Sequence, residues 1–252
     1  MTLPPEILDN ILAHISTSGV GQQTLVACAL VATWWAGPGQ RRLFSSVSIY
    51  EHNYKKWMRD VVRSGSKARL LESVRSLTHC RSTNSILKYR MWDLPRDSGE
   101  YLSALRNIRS LGLFDIRVED IGEAGFHTCF SAFRETLTQL SLGTFTTSFG
   151  AFVTLVNYFP NITTLQLSSF AQERDKGPVP SLSRPLRGKL HICHVRSHCS
   201  RFFNRLAKLD LEYEELAIDS HWSMGWKFLE SVLRISPGSI KTLRLCPDLL
   251  RE

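Results

Sequence analysis

Five side chains able to bind metal crowd one short stretch: His191, Cys193, His194, His198 and Cys199. Zinc takes four nitrogen or sulfur ligands in a tetrahedral array, usually supplied as closely spaced pairs. A strand here would point Cys193 and His194 in opposite directions, and no second paired cluster accompanies them. No metal is therefore expected. The other cysteines, at positions 28, 80, 129 and 246, form no CxxC pair and sit mostly in apolar periodic segments. There a free thiol behaves as a small hydrophobe, which fits a reducing compartment better than a disulfide framework. Walker, GxGxxG, HExxH and GxSxG sequences are all missing, and Ser, His and Asp occur without an elbow or an acid–base constellation. Neither a cofactor nor a catalytic activity of its own is expected of the chain.

If the chain does no chemistry itself, its elements must serve to hold things. Leu3, Ile7, Leu8, Ile11, Leu12 and Ile15 recur at helical spacing, and Pro4, Pro5 and Glu6 suit the start of such a helix. Ser16 to Gln23 reads as a polar stretch with two glycines. An apolar segment follows from Leu25 through Cys28, Leu30 and Val31, closed by Trp34-Trp35 and a Gly37-Pro38-Gly39 break. Leu43-Phe44 comes next, and Val47 and Ile49 alternate with polar neighbours like a short strand. Three short helices of this size cannot bury a core alone. Their apolar surface needs a cover, either the rest of the chain or another protein.

The ordered set Leu3-Pro4-Pro5-Glu6-Ile7-Leu8, Ile11-Leu12, Leu25, Cys28, Leu30-Val31, Trp35, Arg42-Leu43-Phe44 and Val47 resembles the F-box motif. The resemblance covers residues 3 to about 49. It implies docking to a Skp-type adaptor and, through it, to a cullin–RING ubiquitin ligase. Carried over residue by residue, the adaptor contacts would be Leu3, Pro4, Ile7, Ile11, Leu12, Leu25, Val31 and Trp35. Thr33 and Trp34 depart from the family pattern, as does the loop after the first helix, which lacks the usual acidic residue.

Beyond residue 50 the chain repeats itself. An apolar-x-x-Leu-x-Leu pattern places anchor leucines at 77, 111, 140, 165, 190, 216 and 243, with successive spacings of 34, 29, 25, 25, 26 and 27 residues. Apart from the first, these spacings fall in or near the leucine-rich-repeat range of about 20–29 residues. Leu209-Asp210-Leu211 offers a rival strand for the sixth unit, and the period favours Leu216. Helix-like segments at 124–135, 149–159 and 226–235 lie between strands, while the charged, Pro- and Gly-containing stretch 173–188 reads as a surface loop. The asparagine that usually follows the strand is absent, so the chain is similar to divergent F-box proteins with leucine-rich repeats. The expected architecture is α/β: a three-helix F-box over residues 1–50, then an irregular solenoid of parallel strands and return helices over 51–252. Nothing resembling a polar cap follows Leu245, which leaves an open edge unless Leu249-Leu250 folds over it.

In such an array the leucines point inward and the alternate positions form a surface that holds a protein substrate. Phe114, Gln139, Gln166, His191 and Arg244 are the candidate substrate contacts, with Phe114 the lone large apolar residue and natural anchor. The formal charge is +8, but the basic residues are scattered. The densest places, Arg41-Arg42, Lys55-Lys56 and 63–75, are short and lack interleaved aromatics, so nucleic acid is not an expected partner. No membrane span or secretory leader is expected, which points to cytoplasm or nucleus. The expected function is that of a substrate-recognition adaptor of a Skp–cullin–F-box ligase. The alternative is a repeat scaffold whose helical start merely caps the array.

Overall fold

The computed structural model describes residues 4–15, 19–31, 33–50, 54–63, 68–80, 99, 101–114, 116, 118–143, 148–168, 180–193, 200–209, 211–219, 230, 232–235 and 238–245. The chain opens with three helices, α1 (Pro5–Ala13), α2 (Gly19–Val31) and α3 (Thr33–Leu43). Pro5 starts α1 where its missing N–H is harmless, with Glu6 in the first turn. Leu8 and Leu12, one turn apart, are buried and so is Leu25 of α2. Both α1 and α2 pack against α3. The two arginines of the last α3 turn secure this arrangement. Arg41 pairs with Asp9 at 3.2 Å, and Arg42 donates to the carbonyls of Ala13 and Ile15 at 2.9 and 3.4 Å. Arg42 thereby satisfies orphan acceptors at the end of α1.

Two expectations fail in this region. The polar stretch from Gly19 is helical rather than loop, and Gly37-Pro38-Gly39 lies inside α3 rather than breaking the chain. The cause of the second is packing. A side chain at position 39 would stand 3.1 Å from the Cβ of Ala29, so the glycine lets α2 and α3 approach closely. Pro38 and Gly39 are both buried, and this packing offsets the helix-breaking tendency of the tripeptide.

The helices lead into β1 (Ser46–Tyr50), the edge of a sheet completed by β2 (Ser76–Cys80), β3 (Ser110–Phe114), β4 (Gln139–Gly143), β5 (Thr164–Ser168), β6 (Leu186–Cys193), β7 (Leu211–Asp219) and β8 (Thr242–Leu245). All pairings are parallel, and the spatial order is the sequence order. Every strand therefore lies beside its sequence neighbours. The crevice that opens where a doubly wound sheet reverses its strand order has no counterpart here. Between β1 and β2 lie α4 (Tyr54–Trp57), continued as a π-helical turn Met58–Val62, and α5 (Ala68–Ser73). Later connections carry α6 (Val118–Phe130), with its 3-10 extension Ser131–Phe133, then α7 (Phe149–Tyr158) and α8 (Ser200–Leu206).

The register explains the leucine spacing. Val47, Leu77, Leu111, Leu140, Leu165, Leu190, Leu216 and Leu243 form one continuous row across the sheet. Two residues on, Ile49, His79, Leu113, Leu142, Leu167, Ile192, Ile218 and Leu245 form a second. Both rows face the helices, where Phe126, Phe130, Phe133, Phe149, Phe152, Phe159, Phe202 and Phe203 fill the core. Their rings meet at centroid distances near 5–6 Å, for example Phe130 to Phe159 at 5.6 Å and Phe152 to Phe202 at 5.2 Å. The buried Arg205 lays its guanidinium over Phe149 at 4.8 Å, a cation–π contact that offsets part of its desolvation.

Successive coils are also stitched by polar side chains that stand four residues before an anchor leucine. Asn107 donates to the Glu72 carbonyl, Thr136 to that of Ile108, Asn161 to that of Glu135 and Ser239 to that of Tyr213, at 2.7 to 3.0 Å. In β6 and β7 the same place is held by Leu186 and Glu212, already within the longer strands, where sheet pairing replaces the stitch.

The rival parses of the sixth unit prove to be one strand. Leu211 and Tyr213 point inward, as do Leu216 and Ile218, although the two pairs differ in parity. A bulge reconciles them: Gly188 pairs with Tyr213 but Lys189 with Glu215, leaving Glu214 as the extra residue. Gly188 adopts φ +106, and a Cβ there would collide with the Thr163 carbonyl oxygen. Residues 186–188 are therefore strand, not loop; 173–179 lie outside the described residues. The helix expected at 124–135 starts earlier, at Val118, with a kink at Gly122. Of the helix expected at 226–235, residues 230 and 232–233 are helical and 226–229 lie outside the described residues, as do Leu249 and Leu250. Helix α8 was not foreseen.

Candidate protein-interaction surfaces

The adaptor contacts implied by the F-box resemblance divide into two groups. Leu12 and Leu25 are 1% and 0% exposed, so they hold the helical unit together and do not face outward. Trp35 is half-buried. Pro4 is exposed, and Ile7 and Ile11, one turn apart on α1, are 45% and 42% exposed. Leu3 and the side chain of Val31 lie outside the described residues. Three further exposed apolar residues sit on α2, namely Val20, Val26 and Leu30. The pattern that could have revealed them is the composition of α2: from Gly19 to Val31 it carries no charge. A helix with so little polar surface ordinarily has cover on more than one side.

The second surface is the sheet face turned away from the helices. Its first row reads Ser46, Ser76, Ser110, Gln139, Thr164, Lys189, Glu215 and Thr242. The second row reads Ser48, Thr78, Gly112, Ser141, Gln166, His191, Ala217 and Arg244. Tyr50, Cys80, Phe114, Gly143, Ser168, Cys193 and Asp219 make the third. Gln139, Gln166, His191, Arg244 and Phe114 thus share one face, as expected, but spread over its whole width. Phe114 is not the lone large side chain there, since Tyr50 occupies the same row and is exposed.

Phe114 is half-buried against its own sheet. A Cβ on Gly112 would come within 2.9 Å of the ring, and one on Gly143 would strike it and also stand 2.7 Å from the Ser168 hydroxyl. The ring lies in the space those two glycines vacate. Beside it Ser141 donates to Gln166 Oε1 at 3.2 Å, and the Gln166 amide reaches the Cys193 sulfur at 3.8 Å. Burial pushes the Cys193 thiol up, opposed by the Gln166 hydrogen bond and reinforced by Asp219. A thiol so perturbed is the reverse of an activated nucleophile.

Charge enters at β6. Glu215, its side chain 15% exposed, takes Lys189 Nζ at 2.7 Å on one oxygen and Arg244 Nε at 3.2 Å on the other. The hydrogen bond from Lys189 holds the Glu215 carboxyl below its usual range, with Arg244 acting in the same direction. Arg187 and Glu212 pair at 2.7 Å, as do Lys241 and Glu214 at 3.1 Å. Among the described residues no group of three or more His, Cys, Asp or Glu side chains could hold a metal ion; His194, His198 and Cys199 lie outside them. No helix among the described residues is long and apolar enough to cross a membrane.

A cleft of about 670 Å³ between α3 and the coils leading into β2 and β3 is lined by Gln40, Arg41, Glu72, Arg75 and Asn107, among others. Three of these are engaged structurally: Arg41 with Asp9, and Arg75 and Asn107 both with the Glu72 carbonyl. A scan against protein-family models finds no match for the chain, and a search of curated proteins finds none either.

Proposed function

We propose that the chain is a substrate-recognition adaptor of a Skp–cullin–F-box ubiquitin ligase, with residues 1–50 as an F-box and residues 51–252 as an irregular leucine-rich-repeat solenoid. One observation carries the reading: α1 is apolar on two faces, and only one of them is used. Leu8 and Leu12 are inside while Ile7 and Ile11 stand in solvent. A helix serving only to cap β1 has no need of two outward isoleucines. A helix that docks on an adaptor does, and the exposed Val26 and Leu30 of α2 add to the apolar surface on offer. The sequential parallel strands and their polar stitches support the solenoid half of the reading. Catalysis then belongs to other subunits, and the chain acts by proximity, raising the effective concentration of a bound target near the ubiquitin-charged enzyme.

The scaffold alternative draws on a different observation, the firm attachment of α1 to α3 through Asp9–Arg41 and the Arg42 cap. Co-expression with a Skp-type adaptor separates the two. A complex should co-purify with the wild-type chain and be lost with Ile7→Asp combined with Ile11→Asp, the circular dichroism spectrum being unchanged because both positions are exposed. A well-folded wild-type chain that forms no complex rules out the ligase reading and leaves the scaffold.

A further inference from the structure

The polar face of the sheet changes character between β5 and β6. Over β1–β5 its three rows contain hydroxyls, amides, glycines, a cysteine and two aromatic rings, and no charged residue. In a chain with 21% charged residues, a face so depleted of charge has the composition of the central part of an interface. From β6 onward Lys189, His191, Glu215, Arg244 and, in the third row, Asp219 take over. Glu215 is the only side-chain partner of Lys189 and Arg244 among the described residues, yet those side chains remain 57% and 68% exposed. One carboxylate thus holds two cations in place, and the three groups together keep one positive charge, with the Asp219 carboxylate two rows further along the same face. Long side chains normally surrender rotamer freedom when they bind. Here much of it is already surrendered, which favours capture of an anion.

We propose that this face takes an extended peptide running across the strands, with an apolar side chain against Phe114 and an Asp or Glu side chain over β7, flanked by Lys189 and Arg244. From β3 to β7 is four strand-to-strand steps, roughly 19 Å along the sheet. An extended chain covers that distance in about six residues. The proposal rests on the polar face being the selecting surface of the adaptor, but its test requires no adaptor.

The full chain is panned against a displayed library of random peptides about ten residues long, and selected peptides are measured by fluorescence anisotropy. They should carry an acidic residue about six positions from an apolar one, and Lys189→Ala with Arg244→Ala should weaken them about tenfold. Phe114→Ala should relax the preference at the apolar end only. The pair Lys189→Gln with Arg244→Gln keeps a hydrogen-bond donor for Glu215 at both places while removing both positive charges; it should also lose binding. Selected peptides without an acidic preference, or affinities unchanged in both charge variants, overturn the proposal. Charge-dependent peptide binding without an adaptor complex would remove the ligase reading alone. An adaptor complex with charge-blind peptides would remove this one alone.

Discussion

His79 occupies a place in the second core row that every other strand gives to Leu or Ile. It is fully buried, stacked against Tyr101 at 6.3 Å, and burial lowers its pKa from 6.5 to about 3. The folded state therefore refuses a proton that the unfolded chain accepts below pH 6.5. Stability is intact above that pH and is lost as pH falls from 6.5 toward 3, by up to about 1.4 kcal/mol per pH unit. Urea denaturation at pH 7 and pH 5 should show the wild type weakening by about 2 kcal/mol, and His79→Leu should remove most of that loss. Equal pH dependence in the two proteins would place the acid sensitivity elsewhere. In the sequence His79 stands two residues after the anchor Leu77, where the repeat pattern calls for an inward leucine, and its register with Ile49 and Leu113 follows from that place. The Phe114 platform was hidden, because it depends on Gly143, a residue on the next strand.

At the scale of elements, the bulge between β6 and β7 shows where local reading reaches its limit. Two parses of the sixth unit competed because leucines five positions apart cannot both face one way on a regular strand. The chain keeps both by inserting Glu214 opposite a left-handed Gly188. Gly188→Ala should cost about 1–3 kcal/mol in chemical denaturation, from the strained backbone and the collision with Thr163. Gly238→Ala, which meets nothing within 4 Å, should change stability by less than about 0.5 kcal/mol. If the two variants unfold alike, the bulge is not a fixed feature of the strand. The anchor leucines and α7 were legible because their spacing repeats and their apolar residues are periodic. Helix α8 was not, since Ser200–Leu206 spans only two turns, and Asn204 and Arg205 separate its adjacent phenylalanines from Leu206. The start of α2 was obscured by the glycine and glutamine residues that make Gly19 to Gln23 resemble a loop.

At the scale of the molecule, strand pairing runs only between sequence neighbours, so stability is distributed along the array. The middle strands are paired with a neighbour on each side, whereas β8 is the open edge of the described sheet, with Leu243 45% exposed despite its place in the leucine row. Hydrogen exchange followed by mass spectrometry should find the β4 and β5 amides slowest and those of β8 much faster. Uniform protection from β1 to β8 would mean that the sheet opens as one unit. The same order of strands bears on biosynthesis. A parallel sheet commonly waits for a distant segment before its central strands can pair, but here β2 needs only β1, β3 only β2, and so on to the last. Each coil can dock on its predecessor as it leaves the ribosome. A lesion in an early coil then withholds the template from everything translated after it, while one in β7 leaves six strands already laid down.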